Sequence, residues 1–271
     1  MYKHLIALLL IFAFAVSAAD KIPAIYTSRE DFVKAVGHIQ GGCVSKDAIY
    51  LSHMKGIFKF DHKGKLIKHA STVSHTGDLC YYDGKIYATI AYYDKARKGK
   101  GAIKEYNSEL EELRSYEVDQ ETDGITCLNG ILYFGIGPYS QKLHRGNRIA
   151  KMPADFSSKP EIFEIDHGYL TNFGPQTLTN DGKNIFMSFY SSQKGACHSA
   201  VFTPDLKLVN TLHFAASIGF DLFPGLGDEK APVFIKVLEF GPKKQKERRI
   251  DFYKYENGKM VNITQYAGDK K

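Results

Sequence analysis

Apolar and polar positions alternate in short runs along most of the chain, and the runs come in pairs separated by Gly and Asx residues. The clearest pair is His75–Ile90, HTGDLCYYDGKIYATI, broken at Asp83-Gly84. Asp-Gly between such runs predicts a two-residue hairpin, because a type I′ turn needs positive φ at both central residues. The phrase returns at Glu121–Ile136 with Asn129-Gly130 at its centre, and at Phe173–Phe189 with Asp181-Gly182. A shorter copy occupies Gly41–Ser52. A degenerate one occupies Ser217–Val237, its turn expected to swell to Gly225–Ala231.

Two further runs follow each hairpin. In the second unit the four read as Gly77–Tyr82, Lys85–Tyr92, Ala102–Tyr106 and Leu113–Val118; in the third, as Gly124–Leu128, Ile131–Ile136, Arg148–Lys151 and Glu161–Ile165. Five such units predict an all-β chain, a single five-bladed β-propeller over about residues 38–267 with four antiparallel strands per blade. One small sheet cannot bury both faces alone; a ring of five lets each cover its neighbour. The recurring pairs Ile49-Tyr50, Ile86-Tyr87, Leu132-Tyr133 and Ile185-Phe186 are then the packing between blades. Ahead of the ring, Ser28–Asp31 followed by Phe32, Val33 and Val36 predicts a short capped helix in a lead-in over 20–37, with 268–271 as a tail.

The repeated wording, DGKIY at 83–87 and DGKNIF at 181–186, resembles the broad NHL, SMP-30 and quinoprotein-like class of propellers. The likeness covers the four clear hairpins and, loosely, the fifth. It implies a fold and no one activity, since lactonases, lyases, cyclases, lectins and scaffolds share it. SMP-30-type members hold a divalent metal in the central channel, but their ligand pattern does not match this sequence position by position.

The first 19 residues change the picture of where the chain goes. Lys3, the apolar run Leu5–Val16 and the small residues before Asp20 predict a cleaved signal peptide, and so a secreted or periplasmic protein. The run is shorter than the roughly 20 residues of a membrane span, and none follows it. The formal charge of +6 gathers in Lys243–Arg249 and at the Lys-rich end, without a stacking motif, which argues against nucleic acid as a partner. Cys43, Cys80, Cys127 and Cys197 carry no metal spacing and read as structural thiols or one disulfide. No GxSxG, HExxH, P-loop or dinucleotide fingerprint supports the common hydrolase, protease or nucleotide classes.

Tight turns on one face leave the long connections, Tyr93–Lys100, Gly137–Asn147, Ser191–His198 and Gly241–Arg249, on the other. Binding is expected there. Polar residues stand before or at the start of the first strands, at the expected channel mouth: His75, Asp78, Glu121, Asp123, Gln176 and Asp221. Three chemistries fit them. Asp78, Glu121, Asp123, Gln176 and Asp221 suit Ca²⁺ or another divalent cation. His75 and Asp78 suit a general acid–base pair. The acids equally suit hydrogen bonding to strand ends and turn amides. Around the mouth, Tyr93, Arg97, Tyr139, His144, Arg145 and Tyr190 offer faces and charges for a small sugar or carboxylate. The function expected is an exported, monomeric propeller binding a small molecule or glycan. The alternative is a metal-assisted hydrolase, lyase or lactonase at the central channel.

Overall fold

A computed structural model describes residues 21–27, 38–92, 99–137, 144–171, 173–190, 198–240 and 247–266, and every regular element among them is a strand. Strands β1 (Ile22–Pro23) and β2 (Ile25–Thr27) precede the ring. The first blade is β3 (Ile39–Val44), β4 (Ile49–His53), β5 (Gly56–Phe60) and β6 (Leu66–Ser71). The second is β7 (His75–Tyr82), β8 (Lys85–Tyr92), β9 (Lys100–Asn107) and β10 (Glu112–Val118). The third is β11 (Thr122–Leu128), β12 (Ile131–Ile136), β13 (His144–Pro153) and β14 (Glu161–Thr171). The fourth is β15 (Pro175–Asn180), β16 (Ile185–Phe189), β17 (His198–Phe202) and β18 (Leu208–Leu212). The fifth is β19 (Phe220–Asp228), β20 (Ala231–Phe240) and β21 (Glu247–Glu256), with a composite outer edge. The protein is a five-bladed β-propeller.

Period-two alternation explains how one strand serves two neighbours. Ile49, Ile86, Leu132 and Ile185 face the blade before their own, and Tyr50, Tyr87, Tyr133 and Phe186 face the blade after. All eight are buried, each stabilising the ring by roughly 1.5–3 kcal/mol.

The turns separate what the sequence treated alike. Asp83 and Gly84 have φ of 49° and 78°, and Asn129 and Gly130 have 52° and 78°, the two-residue turns expected. The third phrase instead makes a four-residue loop between Asn180 and Ile185. There Asp181 Oδ1 accepts the amides of Lys183 (2.9 Å) and Asn184 (2.6 Å) while Gly182 alone takes positive φ, 85°. The fifth hairpin is corrected the other way. Its turn is tight at Glu229-Lys230, and the surplus residues form a register shift inside the hairpin, between Leu222 and Gly227. Asp228 Oδ1 accepting Lys230 N (2.8 Å) and Ala231 N (2.9 Å) closes that turn.

The outer edge of the fifth blade comes from both ends of the chain. The Tyr253–Glu256 end of β21 pairs with β22 (Lys259–Asn262), while Arg248–Ile250 pair with β2. Beside it β1 runs parallel to β23 (Thr264–Gln265). Ile25–Thr27, read from the sequence as helical lead-in, is thus a strand; the helix expected from Ser28 lies outside the described residues.

Candidate functional site

The innermost strands β3, β7, β11, β15 and β19 pack around the axis, and the first four carry a register shift near their starts. A bulge re-aims the side chain at that point. Glycines let the strands approach. A Cβ on Gly41 would lie 2.2 Å from Asp78 Oδ1, and one on Gly77 would lie 2.7 Å from Asp123 Oδ1.

Asp78, fully buried, is the hub. Its Oδ1 accepts Gly42 N of the first blade at 3.2 Å. Its Oδ2 accepts Ile125 N of the third at 3.1 Å and Leu178 N of the fourth at 2.8 Å. Deeper along the axis, Asp221 of the fifth blade accepts Val44 N at 2.8 Å and the Thr179 hydroxyl at 2.6 Å. Gly42 and Val44 are two residues apart on β3, so the two carboxylates sit at levels separated by roughly 6–7 Å. On the opposite side of Asp78, toward the mouth, Asp123 Oδ1 accepts Gly124 N (3.0 Å) and its Oδ2 accepts Gln176 Nε2 (2.6 Å). The three acids form a column, each fixed by donors from its own level.

That geometry bears on the chemistries expected. Asp78 and Asp221 are committed to amides and a hydroxyl at different levels, whereas a cation draws its oxygens to within about 2.3–2.6 Å of one point. Among the described residues no group of three or more His, Cys, Asp or Glu side chains is placed to hold a metal ion. The set Asp78, Glu121, Asp123, Gln176 and Asp221 is therefore brought to one axis without being gathered into one coordination sphere. His75 and Asp78 do not form a dyad either. Asp78 faces strand amides, and the charge acting on His75 is that of His38.

Electrostatics distinguish the levels. Burial lifts the Asp78 carboxyl well above its ordinary value, with the amides of Leu178, Ile125 and Leu79 opposing. Burial pushes Asp221 up to about 7 against the Thr179 hydroxyl, and pushes Asp123 up to about 7 with the charge of Glu121 adding to it. Burial takes His75 down to about 4, so its ring is neutral at pH 7. His38, exposed where the first blade begins, contacts Gln40 (Nε2 to Nε2, 3.3 Å). The mouth thus brings together His38, Gln40, His75, Glu121, Asp123 and Gln176. His38 escaped the sequence reading, although it stands just before a first strand, much as His75 stands at the start of one.

Of the expected loop contacts, Tyr93, Arg97 and Tyr139 lie outside the described residues, as do the side chains of His144 and Arg145. Tyr190 is 39% exposed and its ring is 5.2 Å from that of Phe173. A buried seam between the third and fourth blades also went unread: His167 Nδ1 meets His198 Nε2 at 2.9 Å and Asn147 Nδ2 meets His167 Nε2 at 2.7 Å. Cys43, Cys80 and Cys127 are free and buried.

No family model matches the chain, and no curated protein matches it in sequence. Solved structures do match. Myxococcus xanthus glutaminyl cyclase is similar with a TM-score of 0.59 at 11% identity, over 87% of this chain and 97% of that one. The Bacteroides ovatus xyloglucan PUL protein GH43B has a TM-score of 0.59 at 12% identity, over 92% of this chain but 59% of its own. The GH43_1 enzyme from Xanthomonas citri complexed with xylose has a TM-score of 0.54 at 11% identity, over 86% and 92%. At such identities the likeness is one of fold.

Proposed function

We propose that the protein binds a small, neutral, polyhydroxylated ligand of the sugar class at the channel mouth. The observation that carries this reading is the Gln176–Asp123 contact at 2.6 Å with Glu121 acting on the same carboxyl. Carboxyl oxygens accept from ligand hydroxyls, and Gln176, Gln40 and the neutral His75 ring supply both donors and acceptors. The acids disfavour an anionic ligand at this level, which narrows the expectation of a sugar or a carboxylate to the former. Rigid strands hold these groups, so little ordering is required on binding.

A second reading rests on one specific feature. Asp123, pushed up to about 7 by burial, with the charge of Glu121 adding to it, can hold a proton near neutral pH beside a second carboxyl. A pair of neighbouring carboxyls, one of them able to hold a proton, is what acid–base hydrolysis of a glycosidic bond uses. The GH43 neighbours lend this reading a shared fold and nothing more.

Saturation-transfer NMR with a panel that includes xylose, arabinose, galactose and short xylo-oligosaccharides tests both, with aryl glycosides added for turnover. Binding should be present in the native protein and lost in Asp123→Ala, while Asp47→Ala retains it. If no sugar binds, or if Asp123→Ala binds as well as the native protein, the reading fails. Turnover lost in both Asp123→Asn and Glu121→Gln would select the hydrolase.

A further inference from the structure

The turns between third and fourth strands place a stopper in the seams between blades. Leu110, Phe156 and Leu206 each donate their amide to the carbonyl three residues before, that of Asn107 (2.9 Å), Pro153 (3.0 Å) and Thr203 (2.9 Å). All three hold positive φ, at 59°, 61° and 60°. Packing of the side chain offsets the cost of that conformation. Leu110 belongs to the core shared by the first and second blades, Phe156 packs on that of the second and third, and Leu206 on that of the third and fourth. In the first blade the place falls to Gly64, and strand β2 fills the seam instead: a Cβ on Gly64 would lie 2.9 Å from Ile25 Cγ2.

The fifth blade breaks the pattern. Its turn is the two-residue Asn257-Gly258, with φ of 50° and 74°, which has no place for such a side chain. Asn257 and Lys259 instead line a groove of about 450 Å³ in the seam between the fourth and fifth blades, with Leu212, His213, Phe214 and Met260. Asn210 Nδ2, donating to Gly258 O at 2.9 Å, spans that seam. Leu212 and Phe214 are buried core residues, so the floor is apolar. Departures of this kind from a local rule concentrate at functional sites.

The charge around the groove has one sign. Its lining holds no Asp or Glu. Lys259 and His213 are exposed, and their side chains make no ion pair or hydrogen bond among the described residues. Glu256, the cross-strand neighbour of Lys259, is held by Lys254 at 3.2 Å. The Lys236 ammonium, outside the lining, stands 4.8 Å from the ring centre of Phe214 and 5.8 Å from that of Tyr253, a further positive charge beside the floor.

We propose that this groove binds a small carboxylate whose apolar body is the size of a Leu or Phe side chain. The body takes the place of the missing stopper and covers Leu212, Phe214 and Met260. The carboxylate lies toward Lys259 and His213, and the Asn257 side-chain amide supplies a further donor. Apolar contact provides affinity and the cations fix orientation, the usual division of labour in a small-molecule site. This inference stands apart from the channel mouth.

An NMR titration of the isotope-labelled protein with phenylpropionate tests it. Amide shifts should saturate and centre on Asn210–Phe214 and Asn257–Met260, and phenylpropylamine, of the same shape, should bind at least about fivefold more weakly. Lys259→Glu, at an exposed position, should weaken the acid by about the same factor without moving the melting temperature. Thr211→Trp, on another lining residue, fills the groove and should abolish binding. Lys46→Glu, in the first blade and 81% exposed, should bind as the native protein does. The proposal is overturned by the absence of saturable shifts, by shifts centred elsewhere, by an amine that binds as well as the acid, or by full affinity in either groove variant.

Discussion

The carboxylate of Asp78, in the second blade, accepts the backbone amide of Leu178, in the fourth, at 2.8 Å across the axis of the ring. One side chain thereby joins blades that are not neighbours. With the bonds to Gly42 and Ile125 it ties four of the five innermost strands, and Asp221 ties the fifth to the first and fourth. The floor of the candidate site is thus built from the same bonds that hold the ring together.

Removing the hub should unravel more than a site. Asp78→Ala leaves three buried amides without their acceptor, at a cost on the order of 3–5 kcal/mol. Asp47→Ala, at an exposed turn, should be close to neutral. Urea denaturation measures both, and a loss below about 1 kcal/mol for Asp78→Ala would deny it the bridging role.

Two glycines should respond differently to the same change. Gly41→Ala sets a Cβ 2.4 Å from the Asp78 Cα, where backbone must move, and should be severely destabilising. Gly84→Ala meets nothing within 4 Å and only strains a φ of 78°, costing about 1 kcal/mol. Melting temperatures of the pair check the order.

The pH response follows from the raised carboxyls. Asp221 binds its proton more tightly in the folded chain, at about 7, than at its unfolded value near 3.8. Its contribution to stability is therefore fully present below pH 3.8 and is lost as pH rises through about 7. Asp221→Asn, which carries no ionising group, should flatten the fall in melting temperature between those limits. An unchanged slope in the variant would show that Asp221 titrates elsewhere.

Because amides and a hydroxyl satisfy Asp78 and Asp221, chelation should leave the melting temperature where it was. Thermal scans with EDTA, then with added Ca²⁺, measure this. A drop reversed by Ca²⁺ would put a cation among the upper acids, Glu121 and Asp123.

Lys236→Met should raise the melting temperature, since it replaces a half-buried ammonium that has no ion pair among the described residues with the side chain that the fourth blade packs at the same place. A lower melting temperature would mean the contacts with Phe214 and Tyr253 stabilise the fold more than burial of the charge costs.

The blades were legible because their signal is local. Asp83-Gly84 and Asn129-Gly130 announce turns whose geometry only a few residues tolerate, and the alternation of Ile86 with Tyr87 reports two buried faces. The site was legible only as a set of positions. Asp78 meets amides 47 and 100 residues further along the chain, and nothing near Asp78 in sequence distinguishes an acceptor of strand amides from a cation ligand. Strand β2 was hidden for another reason: three residues are too few to show a period. The register shift within β19 was mistaken for a long turn because Gly225 and Gly227 mark either equally well.

The shared outer edge of the fifth blade sets an order on biosynthesis. A chain made from its N-terminus releases Ile25–Thr27 first, yet their partner Arg248–Ile250 is among the last stretches to appear. Each of the first four blades can finish itself from consecutive strands as they emerge. The latch strand must wait for its partner through more than two hundred residues of synthesis, and the fifth blade can gain this edge only once Arg248–Ile250 have been made.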